Sequence, residues 1–223
     1  MITINGRSSL DFGVGIHGND VYNAPKRSTE SISVPGRNGD LIIDNGRYEN
    51  ISVTYHCYII SDFGNNIDNF RAFLMANPGY CRIEDIFHPE EYRIGRISKE
   101  LDVDVKGKSR AGEFDLTFDM KPQRYLKAGE EWISPDSVIY NPTLFNAKPL
   151  IKTGKGTITI GDYSITVAND CPVNEIYLDC DLMNAYNGTT NLNNYVSGTF
   201  PELVPGANAI TGNFEIQPRW WTL

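Results

Sequence analysis

Apolar and polar positions alternate without a break over residues 51–59. Ile51, Val53, Tyr55, Cys57 and Ile59 fall on one face, and Ser52, Thr54, His56 and Tyr58 on the other. A period of two is that of a strand with one face in a core. Phe114, Leu116, Phe118 and Met120 alternate in the same way with Glu113, Asp115, Thr117 and Asp119, and Leu101, Val103 and Val105 with Asp102 and Asp104. These two stretches, 101–105 and 113–120, read as a hairpin with its apolar residues inward. Further strands are predicted at 27–34, 39–44, 80–86 and 91–98. Val34-Pro35-Gly36-Arg37 is a turn, because Pro presets φ and Gly accepts a positive φ. Asn38-Gly39 and Asn45-Gly46 are two more turn signals. A single helix interrupts the strands: Asn66 is its expected cap, Ile67, Phe70, Phe73 and Leu74 recur at helical spacing, and Asn77-Pro78-Gly79 stops it.

In the last ninety residues, Thr157 to Ile160, Gly161-Asp162 and Tyr163 to Val167 form the clearest hairpin pattern of the chain. More strands are predicted at 148–153, 175–180 and 213–220. Short strands separated by turns indicate a β-sandwich. From Asp181 to Asn208 the chain is rich in Asn, Gly and Thr and reads as a long surface connection.

Charge divides the chain. Residues 1–130 carry 16 Lys+Arg and 19 Asp+Glu, whereas residues 131–223 carry 4 and 9. Prolines at 122, 135 and 142 and Gly129 surround the change, which puts a boundary near 125–135 and two domains at 1–130 and 131–223. The fold class expected is mostly β: a β-rich, barrel- or sandwich-like first domain with one α-helix, then a β-sandwich.

The net charge of −8 argues against sequence-specific nucleic acid and against an anionic membrane as partner, since both select clustered cations. At 40% hydrophobic and 22% charged, the chain is neither disordered nor membrane-spanning. Its start lacks the layout of a secretory signal, which leads to an expectation of cytosolic synthesis. Cys57, Cys81, Cys171 and Cys180 are too few and too scattered for a disulfide scaffold, and none forms a CxxC pair. They read as small buried hydrophobes.

No motif carries catalysis. Lys155-Gly156-Thr157 is a fragment of a phosphate loop with the wrong spacing, and reads as a hairpin turn. His17, His56 and His88 have no metal-binding spacing, and no serine stands in a GxSxG elbow. Asp181, Asn184 and Asn187-Gly188 lack the spacing and the closing Glu of a calcium loop. The chain therefore reads as a non-enzyme with no cofactor and no metal. Three features remain. The turn Pro35, Gly36, Arg37, Asn38, Gly39 presents a cationic fork suited to a neighbouring carboxylate. Asp102, Asp104, Glu113, Asp115 and Asp119 form an acidic stripe on two adjacent strands, where like charges repel unless Lys106, Lys108 and Arg110 offset them. Trp132, Trp220 and Trp221 are glycan or interface candidates; if Trp220 and Trp221 share a strand, they point to opposite faces.

Taken in order, Asp11-Phe12-Gly13, Val34-Pro35-Gly36-Arg37-Asn38-Gly39, the helix over 66–76, Tyr80-Cys81-Arg82-Ile83, Ile176-Tyr177-Leu178-Asp179-Cys180-Asp181, Phe200-Pro201-Glu202-Leu203, Pro205-Gly206-Ala207-Asn208 and Phe214-Glu215-Ile216 with Pro218-Arg219-Trp220 resemble the distal tail protein (Dit) family of long-tailed bacteriophages. The resemblance covers nearly the whole chain. It implies a structural virion protein whose first domain closes into a hexameric ring and whose second domain is a galectin-like β-sandwich. Such a ring joins the major tail tube protein above to the tail-associated or tip protein below, and can meet a receptor-binding protein. The acidic stripe would then meet a basic neighbour or line the channel of the ring. The resemblance also implies a place at the distal end of the virion tail after synthesis in the host cytoplasm. The alternative is a carbohydrate-binding adhesion module that recognises host cell-wall saccharide.

Overall fold

The computed structural model describes residues 1–19, 22–106 and 111–223. The chain divides into two compact units, Met1–Arg124 with Leu223, and Tyr125–Thr222. In the first, strands β1 (Ile2–Ile4), β2 (Arg7–Ser8), β3 (Gly15–Asn19), β4 (Arg27–Ile32), β5 (Leu41–Tyr48) and β6 (Ile51–Ile59) precede helix α1 (Phe63–Met75). Strands β7 (Cys81–Asp85), β8 (Glu91–Ile97), β9 (Val103–Lys106) and β10 (Ala111–Leu126) follow it. The main sheet runs β2-β1-β7-β8-β10-β6-β3, with β9 also on β10. That path is open, with no closure into a barrel among the described residues.

The two clean alternations lie side by side. Phe114, Leu116, Phe118 and Met120 stand opposite Cys57, Tyr55, Val53 and Ile51, and all eight are buried. Burying side chains of this size contributes on the order of 1.5–3 kcal/mol each. Tyr55 brings a hydroxyl into this core and donates it to Asp85 Oδ2 at 2.8 Å, which satisfies the one polar atom that burial would otherwise leave at a cost. Helix α1 covers the same face: Phe70 packs on Phe114 at 6.1 Å and on Phe12 at 5.5 Å between ring centroids.

Several local expectations need correction. The helix begins at Phe63, after Asp62 in a left-handed conformation with no side-chain cap. Asn66 sits inside the first turn, and its Nδ2 donates to the Ser61 carbonyl at 2.9 Å. Asn45-Gly46 is no turn. It lies within β5, where Gly46 has φ +71 and the register against β4 slips between Arg27 and Thr29, the behaviour of a bulge. The 101–105 strand starts only at Val103, and Val105 is exposed rather than inward.

The second unit is a sandwich of two five-stranded sheets. Its strands are β11 (Val138–Asn141), β12 (Leu150–Thr153), β13 (Gly156–Ile160), β14 (Tyr163–Val167), β15 (Ile176–Asp179), β16 (Asn184–Asn187), β17 (Thr190–Asn191), β18 (Val196–Gly198), β19 (Gly206–Thr211) and β20 (Phe214–Gln217). The sheets are ordered β11-β19-β13-β14-β18 and β17-β16-β15-β12-β20. One core joins them: Ile158, Ile160, Ile165 and Ile210 from the first sheet, and Ile151, Ile176, Leu178 and Ile216 from the second. The segment 181–208, expected as a surface connection, supplies three strands and the start of a fourth. Its Asn and Thr side chains face outward between buried Ala185 and Leu192, so composition concealed the period. Lys155-Gly156-Thr157 is no hairpin turn either: Gly156 and Thr157 already belong to β13, and Gly154 and Lys155 are the link before it. They carry the chain from β12 in one sheet to β13 in the other.

Candidate functional site

Strands β4 and β5 pair only with each other among the described residues and form a ribbon outside the main sheet. Pro35 and Gly36 supply its tip: the Arg37 amide donates to the Val34 carbonyl at 3.1 Å, and Gly36 has the φ of +80 that this turn demands at its third position. Nearer the base, Arg27 holds Asp44 through Nε–Oδ1 and Nη2–Oδ2 bonds, both 2.9 Å, and its guanidinium lies 4.7 Å from the Tyr48 ring centre. The Arg27 hydrogen bond, with help from the Gly46 amide, holds the Asp44 carboxyl below its usual range.

The ribbon is apolar on both sides. Ile32 stands opposite Leu41 and Glu30 opposite Ile43 on one face, and Ser31 opposite Ile42 on the other. Ile32, Leu41, Ile42 and Ile43 are 42–59% exposed. An isolated two-stranded ribbon is marginal in water, and clustered exposed aliphatics mark an interaction surface. The sequence signal for it was the unbroken Leu41-Ile42-Ile43 run, where the neighbouring strand alternates. Pro35, Gly36, Arg37, Asn38 and Gly39 are all exposed at its end, and Arg37 has no ion pair among the described residues.

The acidic stripe is partly neutralised. Asp104 and Glu113 face each other across β9 and β10, and Lys106 bonds to Glu113 and approaches Asp104 at 3.8 Å. The Glu113 carboxyl is held below its usual range by that hydrogen bond to Lys106. Asp115 Oδ1 pairs with His56 Nδ1 at 2.6 Å, and Asp119 is met by Arg96 Nε and Asn50 Nδ2, each at 3.2 Å. Asp102 precedes β9, is exposed, and has no ion pair among the described residues. Lys108 and Arg110 lie outside the described residues. Beside the stripe runs an open groove of about 660 Å³ lined by Lys99, Glu100, Asp102, Asp104, Glu113 and Asp115 among others.

The three tryptophans separate. Trp220 is buried; Trp221 begins a two-residue strand, so the pair does not share one. The Trp221 ring stacks on Phe145 at 4.5 Å and its Nε1 donates to the Asn146 carbonyl at 2.9 Å. Trp132 is 40% exposed and meets Tyr177 edge-on at 6.2 Å. Tyr177 in turn lies near-parallel to Tyr186 at 5.7 Å. The two tyrosines went unnoticed in the sequence, because only the strand register places them side by side.

Another strong pairing closes the sandwich. Arg219 donates to both Asp179 oxygens, at 2.9 and 3.1 Å, from a left-handed backbone at φ +56. Burial alone would raise the Asp179 carboxyl, but the Arg219 bonds and charge and the Leu182 and Asp181 amides hold it below its usual range.

Among the described residues, no three His, Cys, Asp or Glu side chains stand close enough to hold a metal. No helix there is long and apolar enough to cross a membrane. All four cysteines are free and buried.

No family model matches the chain, and no curated protein resembles it in sequence. Solved structures do resemble it. The crystal structure of SPP1 Dit, described as a paradigm of the hub adsorption apparatus in phages infecting Gram-positive hosts, superposes with a TM-score of 0.71 at 13% identity, covering 100% of this chain and 98% of that one. The baseplate of phage p2 in its activated conformation, with Sr and with Ca, matches at a TM-score of 0.46 and 11% identity over 92% of this chain and 90% of that one. Both units thus fall within one continuous likeness, and the chain has the mostly β fold of the SPP1 Dit protein.

Proposed function

We propose that this chain is a structural, non-enzymatic protein of a bacteriophage tail, six copies of which close into a ring joining the tail tube to the tip or baseplate. The observation that carries the reading is the likeness to SPP1 Dit over the full length of both chains. The β4–β5 ribbon supports self-association, because a ring needs each copy to offer two different surfaces and the ribbon leaves aliphatic side chains uncovered on both faces. In this reading residues 1–130 form the ring and residues 131–223 a galectin-like sandwich outside it. The tip Pro35, Gly36, Arg37, Asn38, Gly39 reaches the neighbouring copy, and Arg37 meets a carboxylate there. The stripe of Asp102, Asp104, Glu113, Asp115 and Asp119 meets a basic neighbour or faces the channel, where negative charge keeps passing DNA from adhering. The tail tube protein binds above and the tail-associated or tip protein below, with a receptor-binding protein as a further neighbour. The chain is made in the host cytoplasm and resides at the distal end of the virion tail.

Mass photometry of the purified chain tests the reading. The expected result is a species of six 25.0 kDa copies whose population falls when Leu41, Ile42 and Ile43 are changed to Ser together. A chain that stays monomeric across concentration and salt overturns it.

A further inference from the structure

One row of outward side chains crosses the whole β17-β16-β15-β12-β20 sheet. The register sets Glu215 beside Lys152, Lys152 beside Tyr177, Tyr177 beside Tyr186, and Tyr186 beside Asn191. Their strand neighbours Ile151, Ile176, Leu178, Ala185 and Ile216 point into the core, so the row lies on the opposite, solvent face. Four spacings between five strands make it about 19 Å long. Trp132 joins it from the β20 edge, where Ile133 bridges Ile216.

The row has a definite chemistry. Its centre holds three aromatic rings in contact. Its ends hold fixed polar groups: Lys152 Nζ lies 3.1 Å from Glu175 and 3.5 Å from Glu215, and Asn191 Nδ2 donates to Asn184 at 2.9 Å. A groove of about 240 Å³ shares Lys152 and Glu215 with the charged end of the row and is lined also by Ser134, Asn174, Glu175 and Asn213 among others. An apolar platform beside a few held donors and acceptors is how small polar ligands are oriented.

We propose that this face binds a neutral oligosaccharide, with the C–H faces of successive pyranose rings on Tyr177, Tyr186 and Trp132 and the hydroxyls bonded in the groove. A pyranose is apolar on its faces and hydrogen-bonding around its rim, which is the alternation the row offers. The charges select against an acidic sugar, since Lys152 stands between two carboxylates and the groove is net negative. A protein partner is the less suited occupant. Stable protein interfaces bury about 800 Å² per side around an apolar centre, and here three rings, Trp132 edge-on to Tyr177 and Tyr177 near-parallel to Tyr186, are bounded by charged and amide groups. The inference does not depend on ring assembly.

The test is saturation-transfer NMR and isothermal titration of the full chain with cellotetraose, maltotetraose and N-acetylchitotetraose. Binding of at least one probe in the millimolar range or tighter is expected. Trp132→Ala and Tyr186→Ala should each weaken it by about tenfold with the thermal transition intact. Tyr140→Ala removes an exposed tyrosine on the other sheet of the same unit and should leave it unchanged. Because Tyr186 is half-buried, Lys152→Met, which keeps the rings, provides a second variant expected to lose hydroxyl-dependent affinity. The proposal is overturned if none of the three probes binds. It is equally overturned if binding survives both aromatic substitutions, or if Tyr140→Ala weakens it as much. A monomeric chain that binds, or a ring that does not, separates this inference from the assembly reading.

Discussion

The β6–β10 pair and the β4–β5 ribbon are both antiparallel and both carry large apolar side chains, yet one is the core of its unit and the other stands in water. In β6 and β10 the apolar residues take every second position, so all of them fall on one face, and helix α1 covers that face. In β5 the aliphatics occupy three consecutive positions, so they fall on both faces, and nothing among the described residues covers either. Alternation announces a surface that the chain itself buries. A short unbroken run on an unlayered ribbon announces one that the chain leaves open.

The sharpest way to break this contrast is truncation. Phe118→Ala should cost about 3–5 kcal/mol in urea unfolding, because it opens a cavity in a fully packed layer. Ile42→Ala should stay within about 0.5 kcal/mol in the unassembled chain. If Ile42→Ala costs as much as Phe118→Ala, the ribbon is already covered within one chain and the contrast fails.

Next in size, a two-pronged Arg–Asp pairing occurs in two settings. Arg219 and Asp179 are 31% and 9% exposed, Arg27 and Asp44 38% and 52%. Asp179→Ala should destabilise the sandwich by about 2–3 kcal/mol, less than a fully buried pair would cost because Arg219 is partly solvated. Asp44→Ala should leave the melting transition where it is. Because the Asp179 carboxyl is held low, its contribution is complete above the ordinary carboxylate value of about 3.9. It is lost as pH falls further, through the folded value. Asp179→Asn should therefore flatten the acid limb of a stability-against-pH curve; an unchanged limb would assign that limb to other carboxylates.

Thiol labelling gives a smaller but cleaner contrast. Burial pushes the Cys57 thiol in β6 up to about 12, so the native chain should resist a thiol reagent at pH 8. Its contribution to stability is complete below the ordinary thiol range and is lost as pH rises toward about 12. Ile42→Cys should label at once in the monomer and become protected on assembly; equal labelling in both states would remove the ribbon from the interface.

The smallest expected effect on the fold is that of Arg37→Ala at the ribbon tip. Its thermal transition should match that of the parent chain, while the oligomer seen by mass photometry should weaken, most at low salt. An oligomer indifferent to the change at both salt levels leaves Arg37 as a plain turn residue.

What could be read in the sequence follows the same physics. Ile51 to Ile59 and Phe114 to Met120 were legible because each residue's environment is set by its own strand's period. The Pro35-Gly36 turn was legible because φ is fixed locally. Asn45-Gly46 misled because the conformation that closes a turn also accommodates a bulge, and only the partner strand decides between them. Asp62 is a favoured capping residue in the sequence, but the helical spacing of apolar residues first shows at Ile67, which drew the expected cap to Asn66; the Asp62 side chain makes no capping bond. The row of Trp132, Tyr177 and Tyr186 was invisible for a different reason: its members are scattered over more than fifty residues, and the order of strands in a sheet is a property of the whole fold.

The ribbon also has a consequence for the chain before it meets any partner. A two-stranded ribbon leaves an unpaired row of amides and carbonyls along each outer edge, and edges of that kind template pairing with other chains. Here the stickiest stretch, Leu41-Ile42-Ile43, is bracketed by Asp40 and Asp44, charges placed where gatekeeper residues interrupt stacking of strands. Newly made copies are thus exposed to irregular clumping through these edges. The two aspartates oppose that clumping, so neutralising them should lower soluble yield during synthesis even where the folded chain tolerates the change.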